Sequence, residues 1–252
     1  MAKRFPEIKV AREAIEANVR AIREIECLRA TAVQEAGQVL PQALHELRKL
    51  NGAVLQHAEK EIRERGETPG LLTIRSAAEL MRNNFDILEA LSNIEGMKAL
   101  PTDATINLFD LTYKTKRIFE QRASAQSMQI QLDGIRAIIP GNQKSFPIVP
   151  AVLLENAIKY GKQGTLIRAE VTVVNTKALL AVENETDSFI DPTRCFDRGV
   201  RFSDVVEGGG FGLFLAKEIV VSHNGSIRCE PSRGKVRMVV ELPLVNVIPQ
   251  KF

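Results

Sequence analysis

Long apolar runs are missing from this chain. None approaches the roughly 20 residues needed to cross a bilayer, and the start, Met1-Ala2-Lys3-Arg4-Phe5-Pro6, lacks the apolar core of a signal peptide. The sequence therefore predicts no membrane segment and a cytoplasmic protein. Cysteine is scarce as well: Cys27, Cys195 and Cys229 are odd in number and have no metal-ligand spacing. That argues against a disulfide framework and for a reducing compartment. Charge of one sign is not in large excess, with 34 basic against 31 acidic residues, so no global bias points to nucleic acid or an acidic lipid surface. Internal repeats and low-complexity tracts are absent.

What is present is material for two modest domains: 252 residues, 44% of them hydrophobic. From Glu7 to about Arg65 helix breakers are rare, and apolar residues recur at Leu40, Leu44, Leu47, Val54 and Ala58, the period of one long helix. Pro41 lies inside it, which predicts a kink or break there. A turn follows at Glu64-Arg65-Gly66-Glu67-Thr68-Pro69-Gly70, then a second helical stripe at Ile74, Ala78, Met81, Phe85 and Leu88. Two such helices form a hairpin. Each stripe is too apolar to face water and a lone hairpin buries little, so pairing with a second copy into a four-helix bundle is expected, a homodimer.

Beyond Gly96 to Thr102 the pattern shortens. Apolar runs rich in β-branched residues, Arg168 to Val174, Leu179 to Val182 and Val236 to Leu242, read as strands. They alternate with helical segments near Leu111 to Gln126, Pro150 to Tyr160 and Gly212 to Ser222. The expected class is α+β: a helical hairpin over residues 1–100, then an α/β sandwich over residues 101–252.

The most telling stretch is Gly208-Gly209-Gly210-Phe211-Gly212-Leu213, running directly into a helical pattern. Glycines allow positive φ and put no Cβ between backbone N–H groups and an anion at a helix start, so this reads as a phosphate cradle. Upstream, Leu153-Leu154-Glu155-Asn156-Ala157-Ile158-Lys159-Tyr160 places Asn156, Lys159 and Tyr160 on one helix face through spacings of three and four. With Cys195-Phe196-Asp197-Arg198-Gly199 and His223-Asn224-Gly225 downstream, this order resembles the ATP-binding domain of sensor histidine kinases, relatives of the gyrase, Hsp90 and MutL ATPases. The resemblance runs from about Thr105 to Pro243, and it implies ATP and Mg²⁺ as cofactors.

In that family the matching Asn holds the metal, which assigns Mg²⁺ to Asn156. The resemblance likewise sets Lys159 at the phosphates and Tyr160 near adenine or ribose. Asn184 stands where the family carries the Asp that accepts from the adenine amino group; its amide can still accept, but it is uncharged and can also donate. Thr186 and Ser188 replace the glycines of that box, which narrows the room around the base, and Asp187 is a possible substitute acid beside it. Arg198 or Arg201 would meet the γ-phosphate. Val205 to Gly210 would be the lid, with Gly208 and Gly210 as hinges, and Gly212 and Leu213 would start the phosphate helix. Val152, one turn before Asn156, departs from the polar residue usual there. In the ATPase cousins a Glu at that place activates water, so its absence argues against hydrolysis and for transfer to a side chain. Val236 stands where a Thr is frequent. His223-Asn224-Gly225 reads as a helix end with a left-handed cap.

His45-Glu46-Leu47-Arg48 sits on the first hairpin helix. An isolated helical His is ordinarily a solvated or core-edge residue, but the order of segments reverses that judgement here. The resemblance implies that His45 is the phosphoacceptor, and Glu46 would take the proton on the other ring nitrogen and make the attacking one more basic. His57 lacks such an acid and reads as a surface residue. Lys49 and Leu50 replace the Thr or Asn and the Pro found in relatives, so the residue type that orients a dephosphorylating water is not in place. The implied function is a histidine kinase core that passes phosphate from ATP to His45 and on to an Asp of a response regulator receiver domain. The degenerate positions Val152, Asn184, Thr186, Ser188 and Val236 motivate the alternative of a non-enzymatic histidine phosphotransfer or docking protein. A serine kinase of the anti-sigma type, which shares the nucleotide fold without a long hairpin, is the third reading.

Overall fold

The structure, a computed structural model, describes residues 41–201 and 210–245. The chain divides into two units, Met1–Leu47 and Arg48–Phe252. In the first, residues 41–47 are helical. Leu40 and Cys27 lie outside the described residues, as does everything before Pro41 that would reveal a kink.

The second unit opens with helix α1 (residues 48–65). Gly66, at φ +85°, makes the turn that a side chain would resist. Thr68 then caps α2 (Pro69–Ser92), its hydroxyl accepting from Leu71 N at 3.3 Å, with Pro69 at the first helical position where no N–H is needed. The expected turn and second helix are therefore present. Buried Asn51 donates to the Ala78 carbonyl at 2.8 Å, and the Arg48 guanidinium pairs with Asp86 at 2.8 Å and with Glu89, so the two helices run antiparallel. Ala58 and Ala78 are buried small residues at this contact, whereas Val54, Ile74, Met81 and Leu88 of the same stripes are exposed.

After the short α3 (Ile94–Lys98) come β1 (Ala104–Asn107), α4 (Leu108–Ala125), β2 (Gln129–Gly134), β3 (Ile138–Gly141), α5 (Ile148–Tyr160), β4 (Leu166–Val174), β5 (Lys177–Glu185), α6 (Gly212–Ser222), β6 (Ser226–Ser232) and β7 (Lys235–Pro243). The five-stranded sheet has the order β2-β4-β5-β7-β6; β2 is parallel to β4 and the other pairs are antiparallel, while β1 and β3 form a separate antiparallel pair. The fold is α+β with a mixed sheet. The three expected strands lie inside β4, β5 and β7, and α6 matches its expected span. The pair β1–β3, the strands β2 and β6 and the short α3 are additions that short, weakly periodic segments did not announce.

Alternation decides which side of the sheet is covered. Ile167, Ala169 and Val171 on β4, Leu180 and Val182 on β5, and Val236, Met238, Val240 and Leu242 on β7 are buried in one core with α4, α5 and α6. The intervening residues carry charge: Glu183 lies between Arg168 (3.7 Å) and Lys235 (3.3 Å), and Arg237 meets Glu170 at 3.3 Å. Such surface pairs add only about 0–1 kcal/mol each, so the apolar face holds the sheet. Helix α5 is apolar almost all round, buried continuously from Ile148 to Leu154, and only its last two turns offer Glu155, Asn156 and Lys159. Among the described residues no helix is long and apolar enough to cross a membrane.

Candidate functional site

The polar end of α5 opens into a cavity of about 290 Å³. Asn156, Lys159 and Tyr160 line it from α5, Asn184 from the end of β5, and Gly210, Gly212 and Leu213 from the start of α6. These seven, singled out from widely separated segments, share one space. Arg201 also lines it, while Arg198 does not; its guanidinium lies 5.8 Å from the ring of Phe211, a lining residue. Gly208 and most of the expected lid lie outside the described residues.

Each wall has a local reason. Helix α6 begins after Phe211, and no side-chain cap bond is made there, which leaves the first-turn N–H groups available to an anion. Gly210 has φ +70°, and a Cβ on it would lie 2.5 Å from the Val200 carbonyl oxygen, so the approach of chain to chain requires glycine. Gly199 N donates to Gly210 O at 3.1 Å and ties residues on either side of segment 202–209 together. Under the helix start sits Val152, 2% exposed; a Cβ on Gly212 would meet its Cγ1 at 3.3 Å. An apolar side chain thus supports the α6 start, and position 152 brings no acid to the cavity.

Charge in the cavity is cationic. Lys159 Nζ lies 5.6 Å from the Tyr160 ring centre, near enough for a cation–π contact. Burial pushes the Tyr160 phenol above its ordinary value and so keeps the hydroxyl a donor. Glu155 is engaged by Arg122 of α4 at 3.0 Å, which holds its carboxylate in an ion pair. Asn184 is 5% exposed and its Nδ2 donates to the Glu185 carbonyl at 3.0 Å, which leaves Oδ1 to accept. Strand β5 ends at Glu185; Asp187 is exposed, pairs with Lys162 at 3.7 Å and takes no part in the lining. Asp187 therefore does not stand in for the missing acid. Among the described residues no group of three or more His, Cys, Asp or Glu could hold a metal, so an ion here would rest on the Asn156 amide and on its own ligands. One hard oxygen suits Mg²⁺, which keeps most of its waters.

The cavity has walls that sequence reasoning did not foresee. Asn84, Ile87, Leu88 and Leu91 of α2 close one side, and Ile190, Cys195, Phe211 and Met238 add apolar surface. Leu88 carried a periodic signal as part of the α2 stripe, but nothing in that period says which neighbour it meets. His45 and Glu46 belong to the first unit, where both are exposed; His57 is an exposed helical residue. His223 ends α6 and Asn224 adopts φ +57°, the expected left-handed cap.

Residues 147–246 match the family of histidine kinase-, DNA gyrase B- and HSP90-like ATPases. Among named proteins, the sensor histidine kinase CusS of Escherichia coli O157:H7 is 27% identical over 159 residues, 61% of this chain and 33% of that protein. The sensor protein CutS of Streptomyces coelicolor is 27% identical over 223 residues, 80% of this chain and 51% of that protein. The chain thus spans between a third and about half of the length of these two relatives. Of solved structures, the Acinetobacter baumannii histidine kinase AdeS superposes with a TM-score of 0.53 at 20% identity, covering 80% of this chain and 98% of that one. Full-length ShkA in complex with AMPPNP gives 0.54 at 16%, covering 82% and 46%. At these identities the two superpositions speak for the fold.

Proposed function

We propose that this chain, whose residues 147–246 match the histidine kinase-, DNA gyrase B- and HSP90-like ATPases, is a sensor histidine kinase catalytic core that moves the γ-phosphoryl group of ATP onto His45. From His45 the group passes to an Asp carboxylate of a response regulator receiver domain. The observation that carries this reading is the convergence of Asn156, Lys159, Asn184 and the uncapped start of α6 on one cavity. The functional division follows residues 1–100 for the phosphoacceptor hairpin and 101–252 for nucleotide binding.

Each group has a task. The Asn184 Oδ1 accepts from the adenine amino group, and Tyr160 lies against the base or ribose. Lys159 and the N–H groups of Gly212 and Leu213 meet phosphate oxygens, with the helix dipole adding to the attraction. Asn156 would hold Mg²⁺ through its amide oxygen, and the ion when bound neutralises charge on the β- and γ-phosphates. Gly208 and Gly210 serve as hinges of the lid, and Arg198 beside Phe211 borders it.

At His45 the lone pair of one ring nitrogen attacks the γ-phosphorus while the bond to the bridging oxygen breaks and ADP leaves. Glu46 accepts the proton shared by the other ring nitrogen, which raises the basicity of the attacking one. Catalysis is positioning and charge neutralisation. With Val152 in place of an acid, no side chain at that position activates water. Exposed apolar residues of the hairpin, Leu50 and Val54 on α1 and Ile74 and Met81 on α2, form the face of a homodimer. The cytoplasm supplies the ATP. Incubation with γ-labelled ATP should give acid-labile, alkali-stable label on the wild type and none on His45→Gln; label persisting in that variant rules out His45 as acceptor.

A further inference from the structure

A second cavity, of about 580 Å³, lies between α1, α2, α3 and the segment that leads into α5, and it shares no lining residue with the cavity described above. Its floor is apolar: Ala90, Met97 and Ile148 are buried there. The polar groups around that floor are divided by sign. On the side of α1 and α2, Arg48 holds Asp86, at 2.8 Å, and Glu89, so two carboxylates share one guanidinium and one negative charge is in surplus. On the side of segment 143–148, the Lys144 ammonium has no anionic partner among the described residues. Beside it Ser145 is 3% exposed, and its hydroxyl has no hydrogen-bond partner among them either. A buried polar group without a partner is costly, and a bound acceptor completes it.

The walls are set before any ligand arrives. Asn142 fixes segment 143–148: its Oδ1 accepts from Lys144 N at 2.9 Å and from Ser145 N at 3.1 Å, its Nδ2 donates to the Pro101 carbonyl at 2.8 Å, and its N–H donates to His223 Nε2 at 3.0 Å. Helix α3 is held at its start by Asn93, whose Oδ1 accepts from Gly96 N at 3.0 Å, and at its end by Lys98, whose Nζ meets Glu218 of α6 at 2.9 Å. A preformed hollow with an apolar floor and a few polar groups around it is the usual build of a small-molecule site. Burial pushes the Asp86 carboxyl above its ordinary value although a guanidinium lies beside it. The surplus negative charge on this wall is therefore poorly solvated, and a ligand cation relieves it.

We propose that this second cavity binds a small zwitterion with an apolar body, the chemistry shared by apolar amino acids and short apolar peptides. The ligand ammonium meets Asp86 and Glu89, its carboxylate meets Lys144 and gives the Ser145 hydroxyl an acceptor, and its apolar part lies on Met97 and Ile148. A simple anion meets surplus carboxylate on one wall and a simple cation meets Lys144 on the other, so opposite charges on one molecule suit both walls. The site does not rest on the function proposed above, so a failure to bind ATP leaves it standing.

The test titrates L-phenylalanine and the dipeptide leucyl-leucine into the whole chain by calorimetry. At least one should bind saturably, and the tighter of the two tells amino acid from peptide as the source. Acetylating its amine or amidating its carboxylate should each weaken binding roughly tenfold or more. Glu89→Gln, which leaves the Arg48–Asp86 pair in place, and Lys144→Gln should each weaken it several-fold at unchanged Tm, since both side chains are exposed. Binding of neither probe, equal affinity of the blocked forms, or undiminished binding by either variant overturns the proposal.

Discussion

Asn184 is held by its neighbour: its Nδ2 donates to the Glu185 carbonyl at 3.0 Å, inside a strand end where Asn184 is only 5% exposed. An amide can offer either face, and this bond takes up the donor and turns the acceptor to other use. The uncharged replacement of the family's Asp thus presents the same kind of oxygen.

Restoring the acid should therefore harm the fold. Asn184→Asp loses the donated bond and sets a carboxylate beside the Glu185 carbonyl in a buried place, which costs about 1–3 kcal/mol. Urea unfolding should show a lower midpoint at unchanged slope. A variant as stable as the wild type would mean that the bond to Glu185 does not hold the amide.

His223 predicts a dependence of stability on pH. It is 2% exposed; its Nε2 accepts from Asn142 N at 3.0 Å and its Nδ1 lies 2.7 Å from the Ile219 carbonyl, so the neutral ring is held as the Nδ1–H tautomer. Burial lowers its proton affinity below the ordinary value of 6.5. In the window beginning at pH 6.5 and extending downward, the unfolded chain takes up a proton that the folded chain refuses. The stabilisation is present above pH 6.5 and is lost as pH falls below it. The Tm of the wild type should drop more between about pH 7.5 and about pH 5.5 than that of His223→Gln, which keeps a donor and an acceptor without titrating. Equal drops would remove His223 from the account.

The hairpin predicts assembly. Ile74 and Met81 lie seven residues apart on α2 and are 46% and 52% exposed; Leu50 on α1 is 67% exposed. Leu50→Asp combined with Met81→Asp should sediment as a monomer at micromolar concentration where the wild type is a dimer, with nucleotide binding retained. A monomeric wild type would contradict the bundle.

Much of this was legible in the sequence because it is local. The glycine run and the apolar residues after it define α6, β-branched runs mark β4, β5 and β7, and helical spacing alone puts Asn156, Lys159 and Tyr160 together. What stayed hidden depends on contacts between distant segments. The α2 stripe reads the same whether Leu88 and Leu91 face a second copy or a cavity, and α5 to α2 is a relation that no period encodes. The short pair β1–β3 rests on register between residues more than thirty apart, such as Ile106 and Ile139. The distance of Arg198 from the lining reflects its attraction to Phe211, an aromatic within the glycine run whose partner only the folded chain reveals.

The most direct measurement is a calorimetric titration of ATP into the folded chain, with and without millimolar magnesium, for the wild type and for Asn156→Ala. Losing a hydrogen-bonding group that serves a charged ligand is worth about 1.5–3 kcal/mol, roughly tenfold or more in Kd. Saturable, magnesium-dependent heat in the wild type, weakened by at least that much in Asn156→Ala at unchanged thermal stability, is the expected result. No heat from well-folded wild-type protein, or equal binding by the variant, would contradict the cavity as the site of phosphoryl transfer.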